Sequence, residues 1–396
     1  MERDCMKIHF HDGICCMKTS GMEIYVKDYY FYTEDMDVGY GKEPLIRHIE
    51  MKIPKGSILT LIGPNGAGKS TILKTITKQL KLMGGCIWLD QSSMTEMSNA
   101  QIAKKMAMVL TERLHPELMT CEEMVSTGRY PYTGKLGLLT EDDWEKVAQA
   151  LELVHASDLA KVDFSCISDG QRQRIMLARA LCQEPEMLVL DEPTSFLDIK
   201  HKLELLTILK QMVQQRDLTV IMSLHELDLA QKISDYVICV HGNQIEKYGS
   251  PEEIFTSSYI ESLYGVTAGS YNAEFGCLEM EPPKGKPQVF VISGGGSGIS
   301  LYRRLQRMGV PFATGVLHEN DIDYAVAKAL AETVISQEAF KEIAEETFQK
   351  AATCMECCEK VICTVEQFAD GNRGNERLKE LARKSGKLVS EETFFT

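Results

Sequence analysis

Short apolar runs alternate with stretches of helical pattern along this chain. Residues 57–62 are apolar and β-prone, and residues 72–77, just beyond a glycine-rich segment, read as the opening of a helix. Residues 187–190 are four apolar residues in a row, the pattern of a strand buried on both faces of a parallel sheet. A further strand spans 219–224, shorter ones 86–90 and 106–110, and a helical turn 99–105. Upstream, the aromatic run Tyr29, Tyr30, Phe31 and Tyr32 reads as a strand packed into a sheet, and residues 45–53 as a strand ended by Pro54, Lys55 and Gly56. From Thr120 to about residue 160 the pattern turns helical, with Thr120 capping one helix from Cys121, a second over 141–154, and a loop over 128–134. Ser168 caps another helix, 172–182, and Asp169 is favourable at its N-terminus. Residues 235–240 and 244–248 predict a hairpin around Gly242 and Asn243.

The pattern restarts near the end. Glu281 to Pro287 is a linker by composition, and beyond it strands are predicted at 288–292, 312–317 and 361–365, with helices at 299–308, 322–332, 338–352 and 375–384. This alternation predicts a small, parallel, Rossmann-like α/β domain. The expected organisation is an N-terminal arm (1–21), a main domain (22–265) with a helical subdomain at about 112–182, a linker (266–287) and a C-terminal domain (288–396) as a candidate regulator. The glycine turn 293–298 stands between a strand and a helix, where it either holds an anion or nucleotide or allows tight packing; it lacks the GxGxxG spacing. Cys354, Cys357, Cys358 and Cys363 include a CxxC, read first as core thiols and second as a metal or redox group.

At 396 residues the chain suits two or three domains. A net charge of −14 argues against a nucleic-acid partner, since phosphate backbones are bound by an excess of Lys and Arg. No apolar run reaches the ~18 to 20 residues that cross a bilayer, and the first residues lack the apolar core of a signal peptide. A cytosolic protein that meets the membrane through a partner is therefore expected, with its 13 cysteines as thiols. Cys5, His9, His11, Cys15 and Cys16 follow no familiar zinc spacing and are read as an accidental cluster on a strand-forming arm.

The chemistry centres on Gly63, Pro64, Asn65, Gly66, Ala67, Gly68, Lys69, Ser70 and Thr71. Between a strand and a helix, this GxxxxGKS pattern lets backbone amides close on phosphate oxygens; Lys69 reaches the β and γ phosphates and the Ser70 hydroxyl ligates Mg²⁺. The expected ligand is a nucleoside triphosphate with Mg²⁺. Asp191 and Glu192 end the strand at 187–190, where the first acid can hold the Mg²⁺ water shell and the second polarise a water. His225 ends the strand at 219–224, in place to meet a γ-phosphate, although a lone histidine is more often structural.

Taken together, residues 22–265 resemble the ATP-binding cassette of ABC transporters. Residues 63–71 look like the Walker A loop, 167–174 the signature motif, 188–192 Walker B with its catalytic glutamate, 195–198 the D-loop with Asp198, and His225 the switch histidine. Tyr40 sits where the family stacks an aromatic on adenine, with Tyr29, Tyr30 and Tyr32 as competitors. The resemblance implies a P-loop NTPase fold, ATP as the nucleotide and a head-to-tail homodimer. In that dimer Ser168, Gly170 and Gln171 of one copy face the γ-phosphate held by the other. Residues 128–137 and the acids at 141–143 are similar to importer ATPases for ferric siderophores, haem and cobalamin. That likeness implies a subunit on the cytoplasmic face of the membrane, powering separate permease subunits and served indirectly by an extracytoplasmic substrate-binding protein. The alternatives are an ABC ATPase uncoupled from transport and a ligand-sensing regulator acting through the C-terminal domain. Two positions depart from the family. Thr111, followed by Glu112, stands where a Mg²⁺-ligating glutamine is usual, and Asp169 where glycine is commoner.

Overall fold

The computed structural model describes residues 9–11, 14–19, 22–26, 29–109, 118–134, 137–195 and 197–396. The chain divides into two compact units between Ile254 and Phe255.

The first unit holds two main sheets. In the antiparallel one, Tyr29–Val38 pairs with Ile46–Ile49, Lys52–Pro54 and Gly84–Leu89. The single strand predicted over 45–53 is broken after Ile49. The buried Thr33 hydroxyl fills the gap, donating to Ile49 O at 2.8 Å and accepting from Met51 N at 3.0 Å. His9–His11, Ile14–Thr19 and Met22–Val26 pair antiparallel in a small separate sheet.

The second sheet positions the site. Its strands are β1 (Ile58–Ile62), β2 (Met106–Val109), β3 (Met187–Leu190), β4 (Thr219–Ser223), β5 (Tyr236–His241) and β6 (Gln244–Gly249), in the order β2-β3-β4-β1-β5-β6. All neighbours run parallel except β5 and β6. Every residue of β1, β3 and β4 is buried, which is why these strands appear in sequence as largely apolar runs, interrupted only by the buried hydroxyls of Thr60, Thr219 and Ser223. The β5–β6 hairpin closes through Gly242 and Asn243, both at positive φ (57° and 62°), the backbone of a type I′ turn.

Helix α1 (Lys69–Ile76) follows β1. Three helices outside the sheet, Cys121–Ser126, Glu141–Leu153 and α2 (Asp169–Cys182), each begin with a complete capping box, from Thr120, Thr140 and Ser168. Residues 128–134, expected as a loop, begin instead in the 3-10 turn Thr127–Arg129, and Arg129 is buried. Its guanidinium donates to Asp143 Oδ1 at 2.9 Å, Cys182 O at 2.9 Å and Glu184 Oε2 at 3.0 Å. A buried guanidinium needs such partners, and they pin this turn to two helices. Helix α3 (Ile199–Arg216) leads into β4.

In the second unit, residues 266–287 are more than a linker. Ser270–Asn272 and Cys277–Glu279 pair as an antiparallel hairpin, anchored by the buried Tyr271, whose amide donates to Glu261 Oε1 at 2.7 Å. A parallel sheet follows: β7 (Val289–Ile292), β8 (Phe312–His318), β9 (Thr333–Gln337), β10 (Lys360–Cys363) and β11 (Leu388–Val389), in the order β9-β8-β7-β10-β11. Val289 and Val291 face one apolar cluster and Phe290 and Ile292 another, so both faces of β7 are covered. The covering helices are α4 (Ile299–Arg307), α5 (Ile322–Leu330), α6 (Glu345–Cys357) and α7 (Arg373–Lys384). This is the doubly wound α/β fold that the alternating pattern predicts. Strands β9 and β11 are absent from the sequence prediction, because both are half-exposed edge strands without an apolar run. Helix α6 begins at Glu345, not residue 338, because Phe340 takes φ +63°, which no α-helix continues.

Candidate functional site

The site is built at the carboxyl ends of β1, β3 and β4. The glycine loop leaves β1 at Gly63, whose φ of +141° brings the backbone so close to β5 that a Cβ there would lie 2.1 Å from Val240 O. Gly68, at φ +102°, turns the chain into α1 beneath Ile46. Lys69, the first residue of α1, is buried, and its ammonium donates to Gly63 O at 2.7 Å and Pro64 O at 3.0 Å. Burial pulls its pKa down, while the charges of Glu192 and Asp191 push the other way. The cation is thus already held inside the loop, where phosphate oxygens can replace the two carbonyls.

Ser70 donates to Asp191 Oδ1 at 3.1 Å, joining the loop to the end of β3. Asp191 is 4% exposed, and the same oxygen accepts from Ser223 Oγ of β4 at 2.7 Å. A hydroxyl and a carboxylate facing one another, both hard oxygen donors, are a donor set that suits Mg²⁺. Glu192 takes φ +47°, a sparsely populated backbone held here by its amide donating to Ser223 Oγ at 2.9 Å. Its carboxylate meets His225 Nε2 at 2.5 Å and accepts from Ser195 Oγ at 3.1 Å. The next residue, Glu226, accepts from Thr194 Oγ1 at 2.8 Å and Lys202 Nζ at 2.5 Å, tying the His225 turn to the segment after β3 and to α3. Burial raises the Glu226 pKa, but these hydrogen bonds win and hold it below the usual carboxylate range.

Lys69, Ser70, Asp191, Glu192 and His225 therefore share one constellation. Tyr40 stands apart, 61% exposed, on the turn between Val38 and Ile46, and the side chains of Leu45 and Ile46 border Gly68. Of its competitors, Tyr30 is buried and Tyr32 stacks on Trp88 with centroids 5.7 Å apart. Ser168 and Gln171 spend their hydrogen bonds on capping α2, and Asp198 caps α3 by accepting from His201 N at 2.9 Å. Gly170 lies against His201 and Leu197. Thr111 and Glu112 fall outside the described residues, as do the side chains of Cys5, His9, His11, Cys15 and Cys16. The residue that sequence reading missed is Ser223. Its only signal is a polar side chain at the end of a wholly buried strand, two positions before His225.

A glycine loop on a helix N-terminus, facing two adjacent carboxylates at the end of another strand of the same parallel sheet, defines a P-loop nucleoside triphosphatase. Residues 46–195 match the ABC transporter family, and residues 312–393 match the MJ0874 family. The ABC transporter ATP-binding protein MJ0873 of Methanocaldococcus jannaschii is 42% identical over 275 residues, covering 69% of this chain and 94% of that one. The iron(3+)-hydroxamate import ATP-binding protein FhuC of Bacillus subtilis is 36% identical over 236 residues, 60% of this chain and 88% of its own. Among solved structures, an inward-facing metal-chelate type ABC transporter aligns with a TM-score of 0.54 at 26% identity, covering 60% of this chain and 89% of that one. The chain belongs to the ATP-binding subunits of ABC transporters, of the importer type, and is an ATPase.

Proposed function

We propose that the chain hydrolyses Mg²⁺-bound ATP to power a membrane importer for an iron–siderophore, haem or cobalamin. The observation that carries this is the constellation of Lys69, Ser70, Asp191, Glu192 and His225, held together by Ser223. Relatives named for metal-chelate uptake support the cargo class.

In this reading the amides of residues 63–71 and the Lys69 ammonium take the phosphates, and Tyr40 stacks on the adenine. Ser70 and Asp191 hold Mg²⁺, with Thr111 or Glu112 as a further oxygen ligand; the ion supplies charge neutralisation at the phosphates. Glu192, its carboxylate fixed between His225 and Ser195, orients the attacking water, and His225 faces the charge that develops on the γ-phosphate. In a head-to-tail dimer of cassettes, Ser168, Gly170 and Gln171 of one copy close the site of the other, with Asp198 beside the seam. A Ser168-capped helix N-terminus is suited to meet that anion. Among the described residues no helix is long and apolar enough to cross a membrane. The subunit docks on separate permease subunits at the cytoplasmic face, and an extracytoplasmic binding protein delivers cargo to them.

The test is steady-state phosphate release by the purified chain, with sizing chromatography in MgATP. Glu192→Gln is expected to abolish turnover and to trap an ATP-dependent dimer. Unchanged turnover in that variant overturns the assignment.

A further inference from the structure

The second unit carries a cavity that the cassette does not use. Its sheet has the order β9-β8-β7-β10-β11, so the chain leaves the central strand β7 in one direction and returns beside it as β10. In open parallel sheets of this kind, ligands bind outside the carboxyl ends of the strands, at the point where the order reverses. A cavity of about 520 Å³ lies on that edge, and its lining comes from four successive loops. Gly295 follows β7; His318 ends β8, and Asn320 and Asp321 follow it; Phe340, Lys341 and Glu342 follow β9; Gly371 follows β10. The size is that of a small-molecule site. His318 Nε2 donates to Lys341 O at 2.8 Å, which ties two of these loops together.

The lining chemistry narrows the ligand. Phe340 is 92% exposed and held at φ +63°, a conformation that is an outlier for a bulky side chain, and Ile322 beside it on the rim is 48% exposed. This leaves an aromatic face available to a planar group. The glycine loop, by contrast, is closed to phosphate. Gly295 N donates to both oxygens of Asp321, at 3.0 and 2.8 Å, and Gly298 N to both oxygens of the fully buried Asp323, at 3.2 and 3.0 Å. Fixed carboxylates take the amides that an anion would need, and their charge repels one. The Lys341 ammonium pairs with Glu338, so the wall carries Asp321 and Glu342 with little positive charge to oppose them. Asp321, just past the second strand in chain order, also caps α5 by accepting from Asp323 N at Oδ1 (2.9 Å), while its Oδ2, which accepts from the Gly295 amide, keeps a second lone pair for a sugar hydroxyl, the role an acid takes there in dinucleotide folds.

We infer that the second unit binds an unphosphorylated nucleoside, with its base on Phe340 and one ribose hydroxyl on Asp321. The inference stands independently of the cassette's reading. The test is equilibrium dialysis of labelled adenosine, guanosine, cytidine and uridine against the full chain, its cassette kept filled by excess ADP and Mg²⁺. At least one nucleoside is expected to be retained, one per chain. Phe340→Ala is expected to weaken it by roughly tenfold or more, the value of a base–aromatic stack, while leaving ATP hydrolysis unchanged. Asp321→Asn, which keeps an acceptor for the Gly295 amide, is expected to weaken it similarly, and the 5′-monophosphate to bind no tighter than the nucleoside. No retention at millimolar concentration, retention indifferent to Phe340→Ala, or a monophosphate that binds far more tightly would each overturn it.

Discussion

Ser223→Ala removes one oxygen that holds the Asp191 carboxylate and the backbone amide of Glu192. Ser223 Oγ donates to Asp191 Oδ1 at 2.7 Å and accepts from Glu192 N at 2.9 Å, in a spot where Ser223 is fully buried and Asp191 is 4% exposed. A hydrogen bond to a charged group contributes about 1.5–3 kcal/mol, and a buried amide left without a partner costs about as much again at most. Ser70 Oγ still reaches the same Asp191 oxygen at 3.1 Å, so the loss should fall toward the lower end. About 2 kcal/mol at the transition state corresponds to roughly 30-fold in kcat. The assay is phosphate release at saturating ATP across a Mg²⁺ titration. The variant should lose about that factor and need more Mg²⁺ for half-maximal rate, while Mg²⁺-free nucleotide binding at the loop stays unchanged. A thermal midpoint near that of the parent separates this from misfolding. Wild-type turnover with an unshifted Mg²⁺ requirement would refute the idea that Ser223 holds the two acids in place.

Three further outcomes follow from the same geometry. Gly63→Ala places a Cβ 2.1 Å from Val240 O at φ +141°, so the urea unfolding midpoint should fall by the equivalent of roughly 3 kcal/mol or more; an unchanged midpoint would contradict the close approach of loop and β5. Arg129→Met strands the carboxylate of Asp143, and denaturant unfolding should show a loss of about 3–5 kcal/mol. The Asp143 carboxyl is held below the ordinary aspartate value of 3.8, first by the Thr140 amide and then by Arg129. A folded pKa below the unfolded one contributes stability that is complete above 3.8 and is lost as pH falls through the folded value, so the Asp143 share, read as the difference in midpoint between the parent and Asp143→Asn, should shrink only below 3.8. A difference that shrinks across the neutral range instead would show that other groups dominate.

Much of this was legible from single residues because parallel strands buried on both faces write themselves as apolar runs. Residues 187–190 and the run before Gly63 gave the sheet, and the side chains at their carboxyl ends gave Lys69, Ser70, Asp191, Glu192 and His225. Ser223 escaped because one hydroxyl in a buried strand looks like any other until a neighbouring strand sets an acid beside it. Arg129 escaped for a related reason. A Gly-Arg-Tyr-Pro segment carries every mark of an exposed loop, and only Asp143, Cys182 and Glu184, distant in sequence, give its guanidinium a buried place. The hairpin around Tyr271 and the edge strand β9 were hidden because short, half-polar strands take their stability from pairing rather than from pattern.

Affinity purification of the tagged full-length chain from detergent-solubilised membranes, with mass-spectrometric identification of its companions, decides whether this ATPase drives a membrane permease. A polytopic membrane protein is expected in stoichiometric amount, its presence changing the rate of MgATP hydrolysis by the wild-type chain. Recovery of the chain only from the soluble fraction, active and without such a companion, would contradict it.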